Sequence, residues 1–207
     1  MNLLQPFTNL SVLPYPLVQY EYRNLESLSR FFARHQQRFP RLTFMRFDLH
    51  FPQEHIFDNP KIISRFIDAF KARLIVWDNQ RLSNHPIGFG YAWCREQVDS
   101  HNWHYHLIFV FNRDAVNCWG YFDLRSPNMY ARVVASWASA LSVPITIAEK
   151  GVHICENGVY FIDRNSPLYL QQCNDAWERM VYLAKKYSKD IDDGNRCFGC
   201  SQSTFRG

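Results

Sequence analysis

Apolar residues along this chain alternate between a helical spacing and a spacing of two, and each change marks a new element. From Arg23 to Phe39, Leu25, Leu28, Phe31 and Phe32 recur at helical intervals while Arg23, Arg30, Arg34 and Arg38 take the opposite side, which predicts an amphipathic helix. In Phe44–Phe51, apolar Met45, Phe47, Leu49 and Phe51 alternate with polar Arg46, Asp48 and His50, the period of a strand. Ile62, Ile63, Phe66, Ile67, Phe70 and Leu74 mark a second helix starting just after Pro60. Two aromatic-rich runs, Ile87–Glu96 and Trp103–Phe111, flank the turn-like Val98-Asp99-Ser100-His101-Asn102 and read as a hairpin. Met129, Val133, Val134, Trp137 and Leu141 mark a third helix. Residues 151–162 read as a short hairpin turning at Glu156-Asn157-Gly158, because Asn-Gly suits positive φ angles. A last helix is expected from about Leu168 to Ser188, followed by a small polar tail. The order of elements predicts an α+β fold, a central antiparallel sheet with helices packed on it.

Composition narrows this picture. A chain of 207 residues, 47% apolar and 20% charged, is enough for one domain with its own core. Residues 1–20, with Pro6, Pro14 and Pro16 and no clear period, read as an extended arm, and 21–207 as a single domain without repeats or linkers. No run approaches a membrane span, and no basic residue precedes a long apolar stretch near the start, so the expectation is a cytoplasmic protein with no membrane partner. The net charge of +4 permits a polyanionic partner without demanding one. The cysteines are too sparse for a disulfide scaffold. Cys197-Phe-Gly-Cys200 has the spacing of half a zinc knuckle, but it has no matching second pair and reads as two ordinary thiols.

His104-Tyr105-His106 opens the second strand of the hairpin. Residues two apart on a strand share a face, so both imidazoles can serve one metal ion. With the turn centred near residues 99–101, Glu96 lies across from His104. Two imidazoles and a carboxylate leave coordination positions open and suit Mn²⁺ or Mg²⁺, and they admit Zn²⁺. The alternative is a pair of exposed histidines on the sheet's polar face. Asp48 and His50 share the polar side of the first strand and could add a ligand or a supporting hydrogen bond.

On the last helix the apolar stripe is Cys173, Trp177, Met180, Val181 and Ala184. At about 100° per residue, Tyr182 falls roughly 150° from its centre, whereas Tyr187 falls on its flank, where packing accounts for it. A phenol needs a nearby cation to act as a nucleophile at neutral pH, and Lys185 and Lys186 would be its neighbours on a continuing helix. The alternative is an ordinary surface tyrosine. Arg30, Arg34, Lys185, Lys186, Lys189 and Arg196 could form a track for nucleic-acid phosphates, or simply be solvated.

The strand-borne histidine pair, the carboxylate and the later Tyr-x-x-Lys together resemble the HUH endonucleases, the rolling-circle initiators and relaxases. The ordered set FMRFDLHFP (44–52), WCRE (93–96), HYHLIFVFN (104–112), VYLAKKYSKD (181–190) and CFGCS (197–201) more closely resembles the filamentous-phage (inovirus) gene-2-type replication initiators, a family that includes the YagK/YfjJ C-terminal domain proteins. The resemblance spans about residues 40–201. It implies an HUH-type nuclease fold with a ferredoxin-like core, and a metal-dependent endonuclease that nicks single-stranded or origin hairpin DNA. Such an enzyme stays linked to the 5′ phosphate through tyrosine and leaves a 3′ hydroxyl for a host polymerase. Carried over by position, His104 and His106 are metal ligands, and Tyr182 with Lys185 forms the Tyr-x-x-Lys motif. Glu96 as third ligand rests on the hairpin register together with similarity to initiators that carry an acidic residue upstream of the motif. Lys186, Lys189 and Arg196 would contact DNA. Tyr105 departs in degree from the aliphatic residue often found between the histidines. A spacing of five puts Tyr182 and Tyr187 on different helix faces, which favours a single nucleophile.

The chain has no Walker-type glycine loop, so strand separation would rely on supercoiling or a separate host helicase. Two other classes compete with this reading. One is a catalytically silent DNA-binding, regulatory or host-interaction protein of the same fold. The other is a metal-dependent hydrolase that uses the same site without a covalent step.

Overall fold

The computed structural model describes residues 13–52, 59–97, 103–186 and 194–202. Along the chain the elements are α1 (Tyr22–Arg38), β1 (Arg41–His50), α2 (Ile62–Gln80), β2 (Gly90–Glu96) and β3 (His104–Asn112). They continue with α3 (Met129–Leu141), α4 (Ile145–Glu149), β4 (Val152–Asp163), α5 (Tyr169–Val181) and β5 (Phe198–Cys200). The strands form one five-stranded sheet in the order β4-β1-β3-β2-β5, with every pair antiparallel. The succession β1-α2-β2-β3-α3-β4 with spatial order β4-β1-β3-β2 is the ferredoxin-like, split βαβ arrangement. β5 extends it at one edge.

Both faces of the sheet are covered. The odd positions of β1, Met45, Phe47 and Leu49, pack with Tyr105, Leu107 and Phe109 against α2 and α3. Aromatic rings fill this layer: Phe66 of α2 stands edge-on to Trp137 of α3 at 5.9 Å, and Phe47 edge-on to Phe109 at 4.8 Å. The even positions Leu42 and Phe44 pack with Ala92, Cys94, Ile108 and Val110 against α1 and α5. Double coverage explains why β3 is apolar on both sides and shows that the expected solvent-facing polar side does not exist. On the α1/α5 face, apolar residues give way to polar ones at one end of three adjacent strands. Leu42 and Phe44 lead to Arg46, Asp48 and His50; Ala92 and Cys94 lead to Glu96; and Ile108 is preceded by His106 and His104.

Two expected elements differ from the pattern. Of residues 151–162, those from Val152 onward belong to one strand, β4, rather than to a hairpin. β4 pairs with β1 on both sides of an irregularity between Met45↔Val159 and Phe47↔Ile154, so Cys155–Gly158 bulge out opposite Arg46. Asn157 takes a φ of 49°, the left-handed preference that makes Asn-Gly look like a hairpin turn. The last helix stops at Val181 instead of Ser188. A 3₁₀ turn, Tyr182–Ala184, follows it. The arm then takes the backbone groups a longer helix would use: Glu21 N–H donates to Ala184 O at 2.8 Å and Lys186 N–H to Gln19 O at 2.8 Å. Tyr20 bridges Lys185, and this tertiary pairing overrides the helix propensity of Ala184-Lys185-Lys186. Phe198–Cys200 of the CFGC segment form β5. Among the described residues no helix is long and apolar enough to cross a membrane.

Candidate metal centre

Glu96 and His104 are direct partners across β2 and β3, the register expected from a turn centred near residues 99–101. His106 projects from the same face two residues on. Glu96 and His106 are buried and His104 is half-buried, and one ligand atom from each lies within 4.8 Å of the other two. His104 Nε2 is 3.2 Å from His106 Nε2 and 3.7 Å from Glu96 Oε2, while His106 Nε2 meets Glu96 Oε2 in close contact. Lone pairs this near one another call for a proton or a cation between them. Two imidazole nitrogens and a carboxylate oxygen could hold a divalent metal ion and leave positions open.

β1 supplies the support. Asp48 is the register partner of His106, whose Nδ1 donates to Asp48 Oδ1 at 2.7 Å. With Nδ1 carrying the hydrogen, the Nε2 lone pair faces Glu96 and His104. Arg46 Nη2 also lies 2.7 Å from Nδ1, but a protonated Nδ1 cannot accept from it, so in this tautomer Arg46 contributes charge rather than a hydrogen bond. Arg46 pairs with Asp48 and donates to Phe47 O at 2.6 Å. Burial pushes the Asp48 carboxyl up, but the His106 hydrogen bond and the Arg46 charge outweigh it and hold the group well below the usual carboxylate range. Burial, with repulsion from His106 and His50, pushes His104 down to about 4, so its ring is neutral at pH 7 with a lone pair to give. His50 lies outside the ligand group and stacks on His104 at 4.9 Å. The β4 bulge brings Cys155 Sγ to 3.8 Å from Asp48 Oδ2.

Tyr182 reaches this cluster from the 3₁₀ turn after α5. Its ring stands edge-on to His106 at 5.3 Å, and its hydroxyl donates to Glu96 Oε2 at 3.3 Å. Burial and the Glu96 charge raise the phenol above its ordinary value, and the charge of Arg46 opposes them. Lys185 does not neighbour Tyr182 on a helix as expected. Its backbone is extended and its Nζ sits 3.9 Å from the centre of the Tyr15 ring. Lys186 and Arg196 are exposed, whereas Lys189 and Tyr187 lie outside the described residues. Of the wider basic track, Arg30 pairs with Glu26 and Arg34 Nη2 donates to Ser201 O at 2.8 Å. Sequence reasoning missed Arg46 and Cys155. Arg46 did carry a signal, since it shares a strand face with Asp48 and His50.

A family model, the YagK/YfjJ C-terminal domain, matches residues 17–201. "Uncharacterized protein YfjJ" of Escherichia coli (strain K12) is 34% identical to this chain, over 76% of it and 83% of its own length. "Uncharacterized protein YagK" of the same organism is 33% identical, over 80% of this chain and 85% of its own length. No solved structure matches.

Proposed function

This chain belongs to the YagK/YfjJ C-terminal domain family, and we propose that it is a rolling-circle type initiator that nicks and rejoins single-stranded DNA through Tyr182, with Glu96, His104 and His106 as its metal site. The observation that carries this reading is the 3.3 Å contact between the Tyr182 hydroxyl and Glu96, a member of the histidine cluster from a distant part of the chain. A phenol and a cation site within one pocket are what in-line displacement at a phosphodiester requires.

When bound, Mn²⁺ or Mg²⁺ would act as a Lewis acid on a phosphoryl oxygen. The chain's own groups do the rest. Asp48 holds the His106 tautomer and Glu96 orients the phenol. The charge of Arg46 opposes the rise that burial and Glu96 impose on the phenol, the direction of help expected of Lys185. The phenol gives its proton to Glu96 as its oxygen forms a bond to the 5′ phosphorus, the bond from phosphorus to the 3′ oxygen breaks, and that oxygen takes up a proton and leaves as a hydroxyl. A free 3′ hydroxyl attacking the phosphotyrosine reverses the step and rejoins the strand. Lys185, Lys186 and Arg196 are left to meet DNA phosphates.

The test incubates the purified full chain with Mn²⁺ and an end-labelled single-stranded oligonucleotide library. A cleaved product and a protein–DNA adduct are expected, and Tyr182→Phe should abolish both while leaving oligonucleotide binding intact. An adduct that survives in Tyr182→Phe rules out this nucleophile. Cleavage without any adduct favours the hydrolase, and binding without cleavage favours the silent DNA-binding protein.

A further inference from the structure

The helical layer over the other face of the sheet carries a second feature. A groove of about 490 Å³ runs between α2 and α3 and is closed at its ends by the 124–127 loop and α4. Its volume suits a few side chains rather than a duplex. α2 already buries Ile62, Ile63, Phe66, Ile67, Phe70 and Leu74 against the core, yet it carries further apolar residues beyond that stripe. Val76 is 57% exposed, and across the groove Ile145 is 39% exposed. An apolar trough that packing does not use is a mark of an interaction site.

Three arginines line the trough: Arg125 is exposed and paired with Asp123, whereas Arg73 and Arg132 are partly buried. Arg73 donates to Ala69 O at 3.0 Å and Arg132 to Pro127 O at 2.7 Å, and among the described residues neither meets a carboxylate. Guanidinium groups half withdrawn from water that meet carbonyl oxygens and, for Arg132, the Trp77 ring, but no described carboxylate, are suited to an incoming anion. The Arg132 guanidinium lies 4.8 Å from the Trp77 ring centre and the Arg81 guanidinium 5.4 Å from it, so the indole is already covered and offers no platform for stacking a base. That favours a peptide over a single-stranded nucleic acid. A second copy of this chain is also a poor occupant, because a two-fold contact here would bring the same arginines together.

We propose that the α2/α3 groove docks a partner protein through an acidic amphipathic segment, its apolar side chains seated along Val76 and Ile145 and its carboxylates paired with Arg73 and Arg132. The site lies on the outside of the layer opposite the metal centre, so the partner can be held while DNA is engaged, and the proposal stands whether or not Tyr182 is a nucleophile.

A random peptide library displayed on phage and selected on the purified full chain tests this directly. Sequences that join Asp or Glu to bulky apolar residues should be enriched. A synthetic peptide from that set should bind about tenfold more weakly to Arg132→Glu and to Val76→Asp, and Val76→Asp, at an exposed position, should melt with the parent and so control for any loss of stability in Arg132→Glu. A peptide with Lys in place of its acidic residues should regain binding on Arg132→Glu. Absence of acidic enrichment, or peptides indifferent to both substitutions, overturns the proposal. Loss of single-stranded oligonucleotide binding in Arg132→Glu without peptide selection overturns it in favour of a nucleic-acid track. A dimer dissolved by Val76→Asp overturns it in favour of self-association.

Discussion

His35 on α1 shows how burial alone resets a side chain's chemistry. Its Nδ1 donates to Phe31 O at 2.8 Å, and its ring is pressed so closely on β2 that a Cβ at Gly90 would lie 2.2 Å from Nε2. Burial pushes this histidine down to about 4, against an ordinary value of 6.5. Because the folded value is the lower one, its contribution is present above pH 6.5 and is lost as pH falls towards 4, by about 3 kcal/mol. Urea unfolding followed between these pH values should show that decline on top of the one His104 contributes over the same window, and His35→Gln should make the total decline shallower by about the His35 share. An equal decline in the variant would assign the loss to other groups. At the candidate metal centre, Asp48 touches His106, so if the cluster holds the proposed ion, Asp48→Asn should weaken Mn²⁺ binding by roughly 10- to 100-fold in calorimetry without unfolding the chain. Unchanged affinity would reduce Asp48 to a packing role.

The bulge in β4 is an element with a job, since it turns a regular strand around Arg46 and brings Cys155 to Asp48. It depends on Gly158, where an added Cβ would sit 2.7 Å from the carbonyl oxygens of both Arg46 and Cys155. Gly158→Ala should therefore cost about 1–3 kcal/mol in denaturant unfolding, and a neutral substitution would show that the bulge can relax. Elements decided by local pattern were legible in the sequence. α3 ran over the expected residues, and the Glu96↔His104 register followed from the turn position alone. Elements decided by distant partners were not. Asn157-Gly158 announces a turn, but only pairing with β1 on both sides makes it a bulge. The apolar stripe continues smoothly through Ala184, and only the arm's hydrogen bonds end α5 early. That ending is why Tyr182 was legible as a candidate while its expected helix neighbour Lys185 was not placed correctly.

At the scale of the whole molecule, two apolar layers share one sheet: Leu28 and Phe32 lie in one, Phe66 and Phe109 in the other. Loosening either layer should loosen both. Leu28→Ala and Phe66→Ala should each lower the unfolding free energy read from a single common urea transition by about 2–5 kcal/mol, and two separate transitions would show that the layers unfold independently. The fold class was readable from the order of elements, but β5 and α4 were not, because three- and five-residue elements carry too little periodicity to register. β1 sits between β3 and β4, so this interior strand is synthesised before either neighbour exists. At about 5–20 residues per second, a nascent chain waits on the order of ten seconds from the emergence of His50 to that of Asp163, and the β4 edge of β1 stays unpaired throughout. During translation this ribbon is therefore a natural client for a chaperone, and a message cut short ahead of Val152 would yield a sticky fragment rather than a smaller working protein.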